Sequence, residues 1–457
     1  MRSRTLTAGV LALATSTAVL TTVLTTVLTT ASPGHARVIG TGDPTISPRL
    51  LAQLASRQKV RSIVELNPGE SVSTVAGDVE KISATASVLE ATRSPHFFVA
   101  EVDSATLAGL RKDPRVKSVY PDSLSHTFLD SSTRVIGSDV ANAAGWTGAG
   151  TTVAILDTGI DRDHPFVAGR IVDEACFSTS DPSSGAVSLC PNGRSSQTGP
   201  GAADAETSRC LVGSVNHCAH GTHVAGIAAG RVAAGAPANG VAPAAGILPV
   251  QVFSRFDSIQ SCGGPAPCYL SYTSDQKLAL EYVARVARTH NVAAANMSFG
   301  GGGPHRQHCD ADPEASALKS QFDALLGAGV APVAAAGNAG WSDAVASPAC
   351  VSSAVAVGAT NDDDQIAPFS NRGRLLDLLA PGVRVTSSVP DDTYRSLSGT
   401  SMSTPHVSGS FALMKQAFPN LSPAQVLQRL QATGAPIDYG LTTVRIDVGA
   451  ATAGPSV

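Results

Sequence analysis

Residues 152–159 read Thr-Val-Ala-Ile-Leu-Asp-Thr-Gly, and this stretch decides the fold class of the chain. Its β-branched and apolar residues follow one another without polar alternation, which is typical of a strand buried on both faces. The strand ends on Asp157, and the Thr-Gly pair after it allows the backbone to turn away. Parallel sheets present their functional groups at the carboxyl ends of such strands. We therefore expect Asp157 at the functional edge of a parallel sheet.

The sequence on both sides of this strand alternates between strand and helix patterns. Residues 273–288 predict a helix that begins with a capping box of Thr273 and Gln276. Further apolar strands are predicted at 247–253, 292–298, 330–336, 354–357 and 376–379. The alternation predicts an α/β fold with a doubly wound, mostly parallel sheet covered by helices on both faces.

A smaller unit without cysteine precedes this sheet. Strands are predicted at 60–66, 97–102 and 116–120, and helices at 72–89 and 104–111, the second with Ser104 as its N-cap. Alternating elements in a unit of this size predict a small α+β domain of the ferredoxin-like, split βαβ type. We divide the chain into 1–36, 37–58 as a linker, 59–128 and 129–457.

The first 36 residues have the pattern of an export signal. Arg2 and Arg4 precede an apolar, Thr-rich stretch over 6–28, and Gly34-His-Ala36 supplies the small residues of a cleavage site. The alternative is a membrane anchor, but the repeated threonine pairs weaken a stable span. We expect a removed signal peptide and a secreted, extracellular protein without a membrane anchor once mature.

Eight cysteines all follow residue 175. An even number in an exported chain predicts disulfides, and the absence of any Cys-x-x-Cys pair argues against zinc. Sequence alone leaves the connectivity open, and pairing of near neighbours is the simplest scheme. That scheme joins Cys176 to Cys190, Cys210 to Cys218, Cys262 to Cys268, and Cys309 to Cys350.

The charge distribution bears on whether the chain binds nucleic acid. The formal net charge is −4 and no Lys/Arg run occurs, which argues against nucleic acid as a partner. The acidic run at 362–364 is interpreted as a solvated turn rather than a metal site.

Residues 220–226 read His-Gly-Thr-His-Val-Ala-Gly and predict a tightly packed helix that starts at His220. His220 and His223 are spaced to share a metal, but the zinc protease motif needs Glu directly after the first histidine, where this chain has Gly221. We interpret His223 as a buried structural histidine.

Residues 399–409 read Gly-Thr-Ser-Met-Ser-Thr-Pro-His-Val-Ser-Gly and place Ser401 at the start of a second helix. A serine there either caps the helix or acts as a nucleophile beside free backbone N–H groups that stabilise an oxyanion.

Together these three motifs, in the order Asp, His, Ser, resemble the subtilisin family, the subtilases, for which that order is typical. The resemblance implies a secreted serine endopeptidase that works through an acyl-enzyme, with Ser401 as nucleophile, His220 as general base and Asp157 as the group that orients it. Residues 334–340 resemble the family's oxyanion segment, which makes Asn338 a side-chain donor.

The resemblance also implies where a polypeptide substrate binds. Residues 296–301 resemble the substrate-binding strand, and the primary pocket is expected to be small and uncharged. Its predicted residues are Ser298, Phe299, Gly300, Ala335, Gly337 and Ala346. With no carboxylate among them, we expect large apolar or aromatic residues before the scissile bond.

Residues 59–128 resemble the inhibitory propeptide of subtilases. The resemblance implies a zymogen whose own propeptide inhibits it until self-cleavage near Phe128–Leu129. We expect the mature protein to be a monomer.

One departure from the family pattern concerns calcium. Many members carry Asp after the His-Pro that follows the aspartate strand, whereas Phe166 follows His164-Pro165 here. We expect no required cofactor and no metal ligand at this position. A structural calcium ion is left open, although its usual site is not expected here because Phe166 replaces the aspartate.

The motifs also bear on two alternative functions, a catalytically silent binding protein and a lipase or esterase. A catalytically silent binding protein with the same fold is not favoured, since Asp157, His220, Ser401 and Asn338 are all present. A lipase or esterase requires Gly-x-Ser-x-Gly with the serine first in order, whereas here the serine comes last and in a different motif.

Overall fold

The computed structural model describes residues 43–82, 87–90, 94–122 and 128–454. The chain divides into two compact units, Met1–Leu124 and Ser125–Val457. The predicted signal peptide lies outside the described residues. Within the described ranges, no helix is long and apolar enough to cross a membrane.

The described residues of the first unit form a five-stranded sheet with three helices. Its sheet order is β1-β5-β2-β4-β3, in which β2 runs antiparallel to both β4 and β5. A separate apolar core includes Val75, Phe98 and Leu110. The elements are β1 Thr45–Ile46, α1 Pro48–Leu54, β2 Val60–Leu66, α2 Val72–Val79, β3 Ser87–Glu90, β4 Phe97–Val102, α3 Ser104–Leu110 and β5 Val116–Pro121.

Two details of this unit differ from the sequence-based expectations. Helix α2 ends at Val79, ten residues before the predicted end at Leu89, because a strand follows at Ser87–Glu90. Helix α3 is capped by Asp103, whose carboxylate accepts a hydrogen bond from the Thr106 N–H at 2.7 Å, so Ser104 is the first helical residue and not the cap.

The second unit begins with α4 Phe128–Val135, α5 Ser138–Ala143 and β6 Thr152–Asp157. An irregular, disulfide-rich part follows, with β7 Ala175–Phe177, β8 Ala186–Ser188, β9 Ser196–Thr198, β10 Leu211–Val212 and β11 Val215–Asn216. The middle comprises α6 Ala219–Ala229, β12 Gly246–Gln251, β13 Ser254–Phe256, α7 Ile259–Cys262, β14 Cys268–Leu270, α8 Thr273–Val286, β15 Val292–Met297, β16 Gly301–His305 and α9 Lys319–Gly327. The remainder is β17 Ala331–Ala335, β18 Val345–Ser347, β19 Val355–Thr360, β20 Leu378–Pro381, β21 Val385–Val389, β22 Thr393–Leu397, α10 Thr400–Ala417, α11 Pro423–Thr433, β23 Ala435–Asp438, β24 Thr442–Arg445 and α12 Val448–Ala453.

A ten-stranded sheet organises this unit, in the order β23-β24-β20-β19-β17-β15-β6-β12-β7-β9. The strands from β24 to β7 pair in parallel, and only the outermost pairs, β23 with β24 and β7 with β9, are antiparallel. Val153 and Ile155 of β6 pack in one core with residues of α6 and α10, whereas Ala154 and Leu156 pack in another with residues of α8 and α9. The predicted mostly parallel sheet with helices on both faces is confirmed.

The start of helix α8 differs from its prediction. Tyr272 occupies the N-cap position without a side-chain hydrogen bond, and Thr273 is already helical. The predicted capping box of Thr273 and Gln276 is therefore wrong; the Gln276 side chain instead donates to the Ser271 carbonyl.

All four predicted disulfides are confirmed. Cys176 is bonded to Cys190, Cys210 to Cys218, Cys262 to Cys268, and Cys309 to Cys350. No cysteine is free, and the bonds close loops around the sheet rather than joining its strands. The Cys309–Cys350 bond joins two segments that border the cleft described below.

Candidate active site

Asp157 and His220 form a hydrogen-bonded pair at the carboxyl edge of the sheet. Asp157 is the last residue of β6, and its side chain is 1% exposed. His220 Nδ1 lies 2.8 Å from Asp157 Oδ1 and 3.0 Å from Oδ2. If Nδ1 carries the proton in this bond, Nε2 is left as a free base.

The turn after β6 holds the start of helix α6 close to Asp157. The Thr158 hydroxyl donates to the Cys218 carbonyl at 2.9 Å and accepts from the Gly221 N–H at 3.0 Å. A Cβ at Gly221 would clash with the carbonyl oxygen of Gly159, so only glycine permits this approach. The residue after His220 is thus small because the helix start must pack directly on the strand end.

Two opposing effects act on His220. Burial of the ring disfavours its charged form, but the Coulomb attraction and hydrogen bond of Asp157 outweigh it and raise the pKa of His220 above its ordinary value. The side chain remains about one-third exposed, at 32%. The pair can therefore accept and hold a proton on the imidazole while staying accessible from the cleft.

Ser401 lies in the first turn of α10, on the same cleft as His220. Its hydroxyl donates to the Ser298 carbonyl at 2.9 Å, while the Ser298 hydroxyl donates to the Ser401 carbonyl at 2.8 Å. Ser298 directly follows β15, the neighbour of β6, so two adjacent parallel strands deliver Ser298 and Asp157 to one edge. In this rotamer the Ser401 hydroxyl is held by the residue that directly follows β15.

Asn338 follows the next strand, β17, and faces the same cleft. Its Oδ1 accepts hydrogen bonds from the Thr400 N–H at 2.8 Å and the Thr400 hydroxyl at 3.0 Å. Because these bonds occupy the amide oxygen, the amide NH₂ is the end left to donate. The Ser401 N–H, in the first turn of a helix, has no intrahelical acceptor and supplies a second donor nearby.

His223 and His406 are buried histidines outside this arrangement. His223 Nε2 lies 2.9 Å from the Arg395 carbonyl, and burial lowers its pKa to about 3. His406 is bonded through its two nitrogens to the Met402 carbonyl and the Ser132 hydroxyl, and burial lowers its pKa to about 4. Both are neutral and structural, as predicted for His223.

The cleft has a volume of about 1050 Å³ and brings most of the predicted residues together. It is lined by His220, Ser298, Phe299, Gly300, Ala335, Gly337, Asn338 and Ser401, with Asp157 behind His220. Ala346 is the exception: it is 5% exposed and does not line the cleft, because its N–H is bonded to the Ala336 carbonyl and its side chain packs next to Gly337. Its neighbours Ser347 and Pro348 line the cleft instead.

Two carboxylates at the cleft were missed from the sequence. Asp312 and Glu314 line it, outside the set of predicted pocket residues, for which the expectation of no carboxylate was made. The signal that could have placed them was the predicted Cys309–Cys350 bond, which ties the segment after Gly300 to the segment after Ala346.

Two places in the second unit differ in whether their side chains suit a calcium ion. Phe166 is fully buried. Its ring packs so closely on Gly230 that a Cβ at position 230 would clash with it. The centroid of the ring lies 5.7 Å from that of the Tyr394 ring. This apolar packing does not fit a calcium ligand. Asp161, Asp163 and Glu206, by contrast, offer carboxylate oxygens within 4.8 Å of one another, a donor set of the type that calcium prefers.

The sequence and structure were compared with known proteins. The model of the subtilase family matches residues 148–445, which include Asp157, His220, Asn338 and Ser401. Subtilisin E of Bacillus subtilis is 32% identical over 362 residues, covering 77% of this chain and 80% of that protein. An alkaline protease of Shouchella clausii is 32% identical over 397 residues, covering 84% of this chain and 88% of its own.

A solved structure of a cold-adapted subtilisin-like serine proteinase is 30% identical, with a TM-score of 0.46, and covers 66% of this chain and 88% of that chain. The family match spans most of the second unit. The alignments with the two relatives cover more of the chain than this unit contains, so they also include part of the first unit. The chain therefore belongs to the subtilase family and is a subtilisin-type serine protease.

Proposed function

We propose that the chain is a secreted serine endopeptidase, made as a self-processing zymogen, with Asp157, His220 and Ser401 as its catalytic triad. The observation that carries the proposal is the Asp157–His220 hydrogen bond at the edge of a cleft that Ser401 and Asn338 also line. Polypeptides are its substrates, and the chemistry needs no cofactor because these side chains supply the nucleophile, the base and the oxyanion donor.

The first half of the reaction forms an acyl-enzyme. Ser401 Oγ attacks the scissile carbonyl carbon while its proton moves to His220 Nε2, and Asp157 stabilises the resulting imidazolium. Collapse of the tetrahedral intermediate breaks the C–N bond, and His220 returns the proton to the leaving amine. Water then repeats the sequence on the ester and releases Ser401.

The negative oxygen of each intermediate is stabilised by the Asn338 amide and the Ser401 N–H. Thr400 acts as a positioning residue, since its two hydrogen bonds hold the Asn338 amide oxygen and thereby aim the NH₂. Donors fixed in this way need no reorganisation when charge develops.

Replacing Asn338 with leucine is expected to lower kcat by about 10²–10³-fold, the loss measured for the equivalent asparagine of subtilisin, with KM nearly unchanged. The reason is that the donor acts mainly on charge that appears in the transition state. Steady-state hydrolysis of a fluorogenic peptide measures both constants.

Asn420→Leu is the matched control, because Asn420 is exposed and lies outside the cleft. It should leave both constants within about twofold of wild type, as substitutions at exposed positions without special contacts usually do. An Asn338→Leu enzyme that loses activity only through KM would contradict the oxyanion role.

The proposal assigns residues 59–128 to an inhibitory propeptide and 129–457 to the catalytic domain. Support comes from the order β5-β2-β4-β3 in the first unit, which is the 4-1-3-2 order of a βαββαβ, ferredoxin-like domain. The predicted cut near Phe128–Leu129 adjoins residues 123–127, which lie outside the described residues. Export through the signal at 1–36, an extracellular location and a monomeric mature enzyme complete the proposal.

A further inference from the structure

One wall of the cleft is built by residues 301–316, which follow the predicted substrate-binding residues Ser298–Gly300. The segment starts as β16, which pairs antiparallel with β18. The Cys309–Cys350 disulfide fixes it a second time, and the Ser347 hydroxyl donates to the Ala315 carbonyl at 2.7 Å. The wall is therefore attached at three points to the part of the chain that borders the cleft.

Asp312 and Glu314 stand on this wall and line the cleft. Asp312 Oδ1 accepts hydrogen bonds from the N–H groups of Glu314 and Ala315 at 3.0 and 3.1 Å, which fixes the turn that carries both carboxylates. Both side chains are exposed.

No basic side chain of the described residues neutralises these two carboxylates. The neighbouring cations are engaged elsewhere: Arg306 pairs with Asp343 at 2.6 Å, and Lys277 donates to the Ala317 carbonyl at 2.9 Å. Among the described residues that line the cleft there is no lysine or arginine. The two carboxylates are therefore not compensated by any lysine or arginine side chain of the described residues in the cleft.

We propose that Asp312 and Glu314 are specificity-determining residues that select peptides with a lysine or arginine side chain on the acyl side of the scissile bond. The acyl side follows from connectivity, because the wall continues directly from Ser298, Phe299 and Gly300, which are expected to line the pocket for the residue before the scissile bond. The inference rests on the proposed peptidase function and adds the chemical class of its preferred substrate.

The two carboxylates act from an exposed wall, so their effect is moderate and sensitive to salt. An exposed ion pair changes an equilibrium by only a few-fold, and two together give roughly tenfold discrimination. Screening shortens the range of such interactions, so the discrimination falls as ionic strength rises from about 0.05 M to about 0.5 M.

The test is a set of fluorogenic peptides in which lysine, glutamine or glutamate is placed in turn at each of the first acyl-side positions. For wild type we expect kcat/KM for lysine to exceed that for glutamine by about tenfold at one or more positions, mainly through KM, with glutamate worst. The double variant Asp312→Asn/Glu314→Gln should bring the lysine-to-glutamine ratio close to one, because only the preference for lysine depends on the two carboxylates.

The matched control is Asp363→Asn/Asp438→Asn, which removes two exposed carboxylates outside the cleft and should keep the wild-type ratio. The proposal is overturned if wild type shows no preference for lysine at any position, or if the cleft variant retains that preference. Cleavage of the glutamine peptides distinguishes failure of the specificity proposal from failure of the peptidase function. If neither wild type nor any variant cleaves any of the peptides, the proposed peptidase function is wrong.

Discussion

Replacing Ser401 with alanine is expected to lower kcat for peptide hydrolysis by about 10⁶-fold, the loss measured for the catalytic serine of subtilisin. Only one oxygen is removed, and its hydrogen-bond partner in the structure is the Ser298 carbonyl, so the fold should persist. The same variant should accumulate as a precursor that still carries the first unit, because a tethered propeptide is cut by the enzyme's own nucleophile. Wild type should appear as a product that starts near Leu129.

Ser403→Ala is the matched control for this loss. Ser403 lies two residues further along α10, and its buried hydroxyl has no hydrogen-bond partner among the described residues. Its removal should leave both hydrolysis and processing unchanged. The readouts are peptide hydrolysis and N-terminal sequencing after expression in a host without other secreted proteases. A Ser401→Ala chain that is still cut near Phe128 would show that processing is not autocatalytic.

Asp157→Asn is expected to lower kcat by about 10⁴-fold, the order of loss that changes at the triad aspartate cause in subtilisin and trypsin-type enzymes. The amide cannot stabilise the imidazolium, and it favours the wrong tautomer of His220. The geometry should otherwise survive, because an amide oxygen can still accept the Thr158 N–H bond that Asp157 Oδ1 accepts at 2.7 Å.

The same substitution should also move the pH profile. His220 acts only when neutral, and Asp157 raises its pKa, so wild-type kcat/KM should rise with pH through a midpoint above 6.5, the ordinary value for histidine. Without the carboxylate, burial alone acts on the ring, and the midpoint should move to lower pH.

Asp139→Asn, an exposed change in α5, should keep the wild-type midpoint. A midpoint that does not differ between wild type and Asp157→Asn would contradict the electrostatic role of Asp157.

The sheet and the position of Asp157 at its edge were predictable because they depend on short, local patterns. A run such as Val153–Leu156 must be buried on both faces wherever it lies, and parallel strands then deliver Asp157, Ser298 and Asn338 to one edge. Pairing cysteines with near neighbours succeeded for the same reason, since most of these bonds close short loops, such as the separation of 8 residues between Cys210 and Cys218.

The errors arose where the outcome depends on single side chains or on irregular segments. Asp103 competes with Ser104 for one cap position, and the structure favours the carboxylate. Ala346 was assigned to the pocket from its position in the chain. Neighbouring side chains of a strand point to opposite sides, and in β18 it is Ser347, not Ala346, that lines the cleft. Asp312 and Glu314 lie in a loop without periodicity, whose position is set by a disulfide spanning 41 residues.

Covalent labelling shows whether Ser401 is a nucleophile activated within this cleft. The processed enzyme is treated with a fluorophosphonate, digested and analysed by mass spectrometry, with Ser403→Ala as control and Ser401→Ala as the negative. We expect a single phosphonyl adduct on Ser401 in wild type and in Ser403→Ala, and none in Ser401→Ala. A folded wild-type enzyme that remains unlabelled, or that carries its adduct on another residue, would contradict the account.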